Sequence, residues 1–397
     1  MAEVVGYSVE DNSDIEKSVI DAAKKHFSNG SYDSALKLYL GLLKTSASAR
    51  LYFDVGLCYY KKNDYDKAIE YLSQAVNLDI NNSTAYSYLG NCYFRKLDAK
   101  SAIENWSIAR SITPTDEHVC QNRAIAYYAK GMTYESMYYN QKYLKYAQNK
   151  TSSQYQTLHK NMNTLYKAAN EYYILAQKNR AAKDGINAEI NYKNALKKYP
   201  IIPEYSVGLA NLYYDWKNYA DAVVFYEMAL RENSSADKEI YFKIADSYEK
   251  TNDYRLAYCF YNRYIKYTLS NQREYLDITR KTAELRKQLD SSATDITREM
   301  AKQYYNNNEY YKSLIEYENC VILDKQHETD YDENIQKLRG FVNPESIVTQ
   351  RFLAKGNELL LQGEQKSANK YFTEVMVLTN PKSDVYKLAK SKIANVK

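Results

Sequence analysis

Apolar and polar positions along this chain alternate in a register that repeats. In LYFDVGLCYYKKNDYDKAIEYLSQAVNLDINN, beginning at Leu51, apolar residues return every three or four positions, stop at the polar KND, and resume with the same spacing. The stretch beginning at Tyr86, YSYLGNCYFRKLDAKSAIENWSIARSITPTD, repeats the pattern around KLD. Each stretch predicts two amphipathic helices joined by a tight turn.

Aligned on a Gly or Ala followed three residues later by Tyr, the pairs Gly56/Tyr59, Gly90/Tyr93 and Ala124/Tyr127 fall 34 residues apart. Gly56 and Ala68, Gly90 and Ala102, and Ala210 and Ala222 are each 12 apart, with the polar turn about midway. Residues so placed face each other in an antiparallel helical hairpin, where small side chains let the backbones approach to roughly 8 Å. That is a packing reason to keep a glycine which costs about 1 kcal/mol relative to alanine inside a helix.

Numbered from the first residue of each repeat, large apolar or aromatic groups occupy positions 4, 7, 11 and 24, and a small one position 27. Tyr52, Val55, Tyr59, Leu72 and Ala75 do this in one unit, and Tyr86, Leu89, Tyr93, Trp106 and Ala109 in the next. Pro114 and Pro200 stand at position 32, where proline ends the second helix. This pattern resembles the tetratricopeptide repeat. The resemblance implies an all-α fold, a right-handed superhelical solenoid of antiparallel helix pairs.

Nine units are assigned on this template: 16–48, 49–82, 83–116, 117–150, 169–202, 203–237, 238–271, 294–327 and 349–382. The fourth has Asn140 and Tyr143 in its aromatic and small columns, so its packing onto the following unit is expected to loosen or turn. Residues 383–397 are expected to form a capping helix with a polar outer face. The spacers 151–168, 272–293 and 328–348 carry helical patterns, such as Leu158, Met162, Leu165 and Tyr166 in the first. They predict extra or extended helices, with Pro344 breaking the third. Three blocks follow: 1–150, 151–290 and 291–397.

Composition changes this picture little. The chain holds 45 tyrosines against 9 phenylalanines and 2 tryptophans. Usage rich in Tyr, Lys, Asn and Ile is what an A+T-rich genome produces, and a bacterial source is expected. The amino terminus, MAEVVGYSVEDNSDIEK, has no basic segment followed by an apolar one, so neither a signal peptide nor a membrane anchor is expected, and a cytoplasmic location is. The net charge of +5 is spread over interleaved Lys, Glu and Asp, without the one-sided cationic stripe that nucleic acid requires. Cys58, Cys92, Cys120, Cys259 and Cys320 include no closely spaced metal-binding pair and are expected to be reduced core thiols. The histidines His26, His118, His159 and His327 are scattered, and no phosphate-binding loop is present. No enzyme and no cofactor is expected.

What remains is the concave wall, lined in this family by positions 2, 5, 6, 9, 12 and 13 of the first helices. Phe53, Leu57 and Tyr60, then Tyr88, Asn91, Phe94 and Arg95, then Asn122 and Tyr128 are the expected peptide-binding residues. Tyr60, Phe94 and Tyr128 form a file, one ring per repeat, while the amides of Asn91 and Asn122 can each bond an N–H and a C=O of an extended strand. The leading expectation is a non-catalytic scaffold or adaptor that holds an extended segment of another protein. A co-chaperone and a peptide-sensing regulator are the alternatives. Co-chaperone relatives clamp an acidic carboxyl terminus with Lys, Asn and Arg. Asn91 and Asn122 match the clamp's asparagines, but Ser87, Asn170 and Ile174 stand where cations are needed.

Overall fold

The structure, a computed structural model, describes residues 9–231, 238–268, 271–379 and 383–394. The first residues of the amino-terminal reading, the ends of the sixth and ninth units, two residues of the seventh and the last three of the capping segment lie outside the described residues. The helices are α1 Val9–Ser28, α2 Tyr32–Leu43, α3 Ala49–Lys61, α4 Tyr65–Leu78, α5 Ser83–Arg95, α6 Ala99–Ile112, α7 Glu117–Ala129 and α8 Thr133–Tyr146. They continue as α9 Ser153–Ala181, α10 Gly185–Lys198, α11 Pro203–Asp215, α12 Tyr219–Leu230, α13 Lys238–Lys250, α14 Tyr254–Lys266 and α15 Arg273–Lys287. The rest are α16 Ala293–Asn306, α17 Tyr310–Leu323, a 3-10 segment Lys325–Tyr331, α18 Asp332–Val342, α19 Pro344–Leu361, α20 Gln365–Leu378 and α21 Asp384–Ala394.

All nine assigned units appear as helix pairs, and one turn geometry joins each pair. Position 15 has positive φ in every unit: glycine at Gly30, Gly131 and Gly363, asparagine at Asn63, Asn252 and Asn308, and Leu97, Lys183 and Lys217 in the remaining three. The residue before helix two then closes both ends of the turn. The Asp98 N–H donates to the Tyr93 carbonyl at 2.9 Å, and the Asp98 carboxylate accepts from the Ser101 N–H at 3.0 Å. Asp64, Asp184 and Asp253 cap their helices in the same way.

The glycine columns have a different partner from the one expected. Ala68 and Ala102 are fully buried, but the space above the glycines belongs to position 24. A Cβ on Gly56 would lie 2.7 Å from Leu72, and one on Gly356 2.7 Å from Phe372. One on Gly90 would run into the Trp106 indole. The glycine therefore makes room for a large side chain of the second helix, as well as for the backbone.

The spacers are helical. The first, with the helix expected from 169, forms the continuous 29-residue α9. Upstream, α8 meets α9 over a short stretch only, with Tyr143 buried in the small column. The second spacer is α15, and the third is the 3-10 segment, α18 and the start of α19, with Pro344 in the first turn of α19. The capping segment forms α21, which buries Ala389 and exposes most of its other residues. All five cysteines are buried free thiols. Burial pushes Cys58 and Cys92 up to about 12, out of the range of thiolate chemistry.

The contacts divide the chain into two compact units where three sequential blocks were expected: Met1–Ala126 with Asn343–Lys397, and Tyr127–Val342. In the first unit α19 packs on α6, and the buried Arg110 and Glu345 side chains pair there. In the second, α14 packs against both α15 and α17. Tyrosine serves the second unit as a core ring with a polar tip. The Tyr213, Tyr226, Tyr248 and Tyr261 hydroxyls donate to Glu189, Asn211, Glu227 and Glu249 at 2.6–2.8 Å, which phenylalanine could not do.

Candidate peptide groove

In the first unit, α3, α5 and the first part of α7 present one face of successive repeats. Five of the expected site residues, Tyr60, Asn91, Phe94, Arg95 and Asn122, line one pocket of about 300 Å³ together with Trp106 and Ile125. Its floor is a polar knot. The Asn122 Nδ2 donates to Asn91 Oδ1 at 2.8 Å, and the Trp106 Nε1 donates to the same oxygen at 3.2 Å and to the Ser87 carbonyl at 3.1 Å. Both lone pairs of Asn91 Oδ1 are thus engaged. This revises the expectation that each amide offers both polarities: the pair together presents the Asn91 NH2 as donor and the Asn122 oxygen as acceptor.

The aromatic wall is continuous across the repeat boundary. The Tyr60 and Tyr88 rings meet edge to face at 5.2 Å, and Tyr88 meets Phe53 at 5.9 Å. Phe53 is only 8% exposed. It was expected on the open wall and instead supports Tyr88 from below, because the next repeat lays that ring over it. Leu57 is half-buried beside this cluster. Burial pushes the Tyr60 hydroxyl above its usual range, opposed by the Arg95 guanidinium, and Arg95 itself is exposed. Tyr128 falls in the second unit and is 77% exposed. At the clamp position that needs a cation, Ser87 is buried.

The same knot recurs in the second unit, where the sequence reading placed no site. Asn211, at position 9, accepts from the Tyr226 hydroxyl at 2.6 Å and from the Lys243 ammonium at 2.7 Å. These are the positions of Asn91, Trp106 and Asn122: 9 and 24 of one repeat, and 6 of the next. The three line a pocket of about 470 Å³ with Tyr173, Gln177 and Arg180 among the other walls. An Asn at position 9 with a hydrogen-bonding ring at position 24 was the available signal.

Residues 56–96 match the family model described as TPR repeat. No curated protein matches the chain. Among solved structures it is similar to the TPR domain of P58(IPK), at 13% identity over 88% of this chain and 100% of that one, with a TM-score of 0.36. A tetratricopeptide repeat protein from Parabacteroides merdae matches at 13% over 68% of this chain and 98% of its own, with a TM-score of 0.33. The TPR2AB domain of yeast Sti1, in complex with pHSP90, matches at 15% over 69% and 97%, with a TM-score of 0.29. At these scores the likenesses add no weight of their own. The family match at 56–96, extended through the chain by nine helix pairs with one turn geometry, is what carries the assignment. Residues 56–96 thus match the tetratricopeptide-repeat family, and the described chain around them is all-α, built of helix pairs that share one turn geometry.

Proposed function

We propose that this chain is a non-catalytic scaffold or adaptor that holds an extended segment of a partner protein in the groove over α3, α5 and the first part of α7. The TPR match at 56–96 supports a protein-interaction scaffold, and the groove supports this mode of holding. The observation that carries it is the Asn91–Asn122 pair. One repeat is bonded to the next so that a donor and an acceptor stand side by side, the complement of a peptide group. Tyr60 and Phe94 flank the pair with apolar surface for side chains, and Arg95 favours an acidic residue nearby.

The test is selection of displayed peptides on the full chain, followed by binding to a variant with Tyr60→Ala, Arg95→Glu and Asn122→Ala. Asn91 is left in place because Trp106 depends on it. Selected peptides should lose at least tenfold in affinity, with helicity by circular dichroism unchanged. Peptides that bind the variant as well as the wild type would exclude this groove.

A further inference from the structure

A second cavity lies away from the groove, in the second unit. The pair α16–α17 follows the extra helix α15, and α17 packs against α14. Between α12, α14, α16 and α17 this leaves a cavity of about 410 Å³, within the roughly 300–1,000 Å³ of small-molecule sites. Its wall is mainly apolar, with Met228, Phe260, Met300 and Ile315 contributing.

Four charged side chains line it, and three already have an opposite charge. Arg231 pairs with Glu135 at 3.1 Å, Glu316 with Arg255 at 3.2 Å, and Lys312 with Glu309 at 2.5 Å. Glu227 is the exception. Its Oε1 accepts from the Tyr248 hydroxyl at 2.6 Å, and among the described residues no lysine or arginine forms an ion pair with it. Burial pushes its carboxyl above the usual carboxylate range, against the opposing charges of Lys312 and Arg263, so a positive charge brought directly to it favours the ionised form.

We propose that this cavity binds a small organic ammonium ion, with its apolar body among the methionines, Phe260 and Ile315 and its charged nitrogen on the Glu227 carboxylate. An anionic ligand would face Glu227 and Glu316 while both wall cations are already paired. A neutral apolar ligand would leave the half-buried Glu227 with the Tyr248 hydroxyl and no ion-pair partner among the described residues. The Tyr304 and Tyr311 rings also line the cavity, but each already carries a cation of the wall, Lys312 at 5.2 Å and Arg231 at 5.8 Å, so Glu227 is the group that selects for charge.

The full chain is titrated with 4-phenylbutylamine, 4-phenylbutanol and 4-phenylbutyrate, which share a body and differ in charge, and binding is followed by calorimetry and ligand-observed NMR. The amine should bind at least tenfold more tightly than the other two, and Glu227→Gln should remove that preference. Val224 lines the cavity and is 59% exposed, so Val224→Trp narrows the mouth without disturbing the core and should block the amine. The proposal is overturned if the amine does not bind, if the alcohol matches it, or if Val224→Trp binds like the wild type. It is also overturned if a folded Glu227→Gln variant still prefers the amine. The comparison of the three probes on the wild type stands even if Glu227→Gln does not fold.

Discussion

Arg110 and Glu345, 235 residues apart in sequence, form a buried ion pair between α6 and α19. Arg110 has no exposed surface, and the Glu345 side chain is 8% exposed. A pair so desolvated is held for its geometry, since removing one member leaves the other charge buried.

Glu345→Ala is therefore expected to destabilise the first unit by about 3–5 kcal/mol, read from urea unfolding monitored by circular dichroism. A cost below about 1 kcal/mol, the range of exposed pairs, would mean that water reaches Arg110 once the carboxylate is gone.

Leu97 occupies a left-handed turn, with φ 63°, and is 93% exposed. Its side chain contributes little there, while its backbone is strained for a residue with a Cβ. Leu97→Gly should raise stability by about 0.5–1 kcal/mol. Gly131→Ala, at φ 73° with open space around its Cβ, should do the reverse. Thermal melts of the two variants should move in opposite directions, and a shared direction would refute the strain argument.

At Gly90 the limit is space. A Cβ there overlaps the Trp106 indole, whose N–H holds Ser87 and Asn91. Gly90→Ala should cost about 1–3 kcal/mol despite alanine's better helix propensity. It should also change the tryptophan emission as the indole moves. An unchanged spectrum with unchanged stability would show that α5 and α6 part without penalty.

Asp98 supplies a pH dependence. Burial pushes its carboxyl up, but the bonds from the Ser101 hydroxyl and N–H prevail and hold it below the usual range. A depressed folded-state pKa contributes stability above the unfolded value, and that contribution is lost as pH falls through the folded value. The difference between wild type and Asp98→Ala should be about 1 kcal/mol at neutral pH. It should fade as pH drops below about 4. A difference that persists in strong acid would assign the effect to packing.

The repeat register was legible because it is local. Gly56, Tyr59, Ala68 and Leu72 report on one hairpin, and capping aspartates such as Asp64 and Asp98 mark the turn by themselves. The turn conformation was hidden wherever Leu97, Lys183 or Lys217 occupies it, since none of these residue types signals positive φ. The fate of Phe53 was decided by Tyr88 in the following repeat, which a position-by-position reading treats as an independent wall residue. Arg110 and Glu345 look like ordinary surface charges, and no periodicity joins positions so distant. The knot at Asn211 escaped notice because Lys243 stands where the first groove has Asn122, although the columns are the same.

The docking of α19 onto α6 has a consequence for the order in which the chain is made. Residues leave the ribosome from the amino end at about 5–20 per second, so Arg110 emerges roughly 10–50 s before Glu345. During that interval the third repeat can pair its own helices, while the face of α6 that will be buried stays open. The first unit to begin folding is thus completed by a late segment, and a stalled or truncated chain that ends before α19 leaves a charged, half-apolar helix face for chaperones or proteases to find.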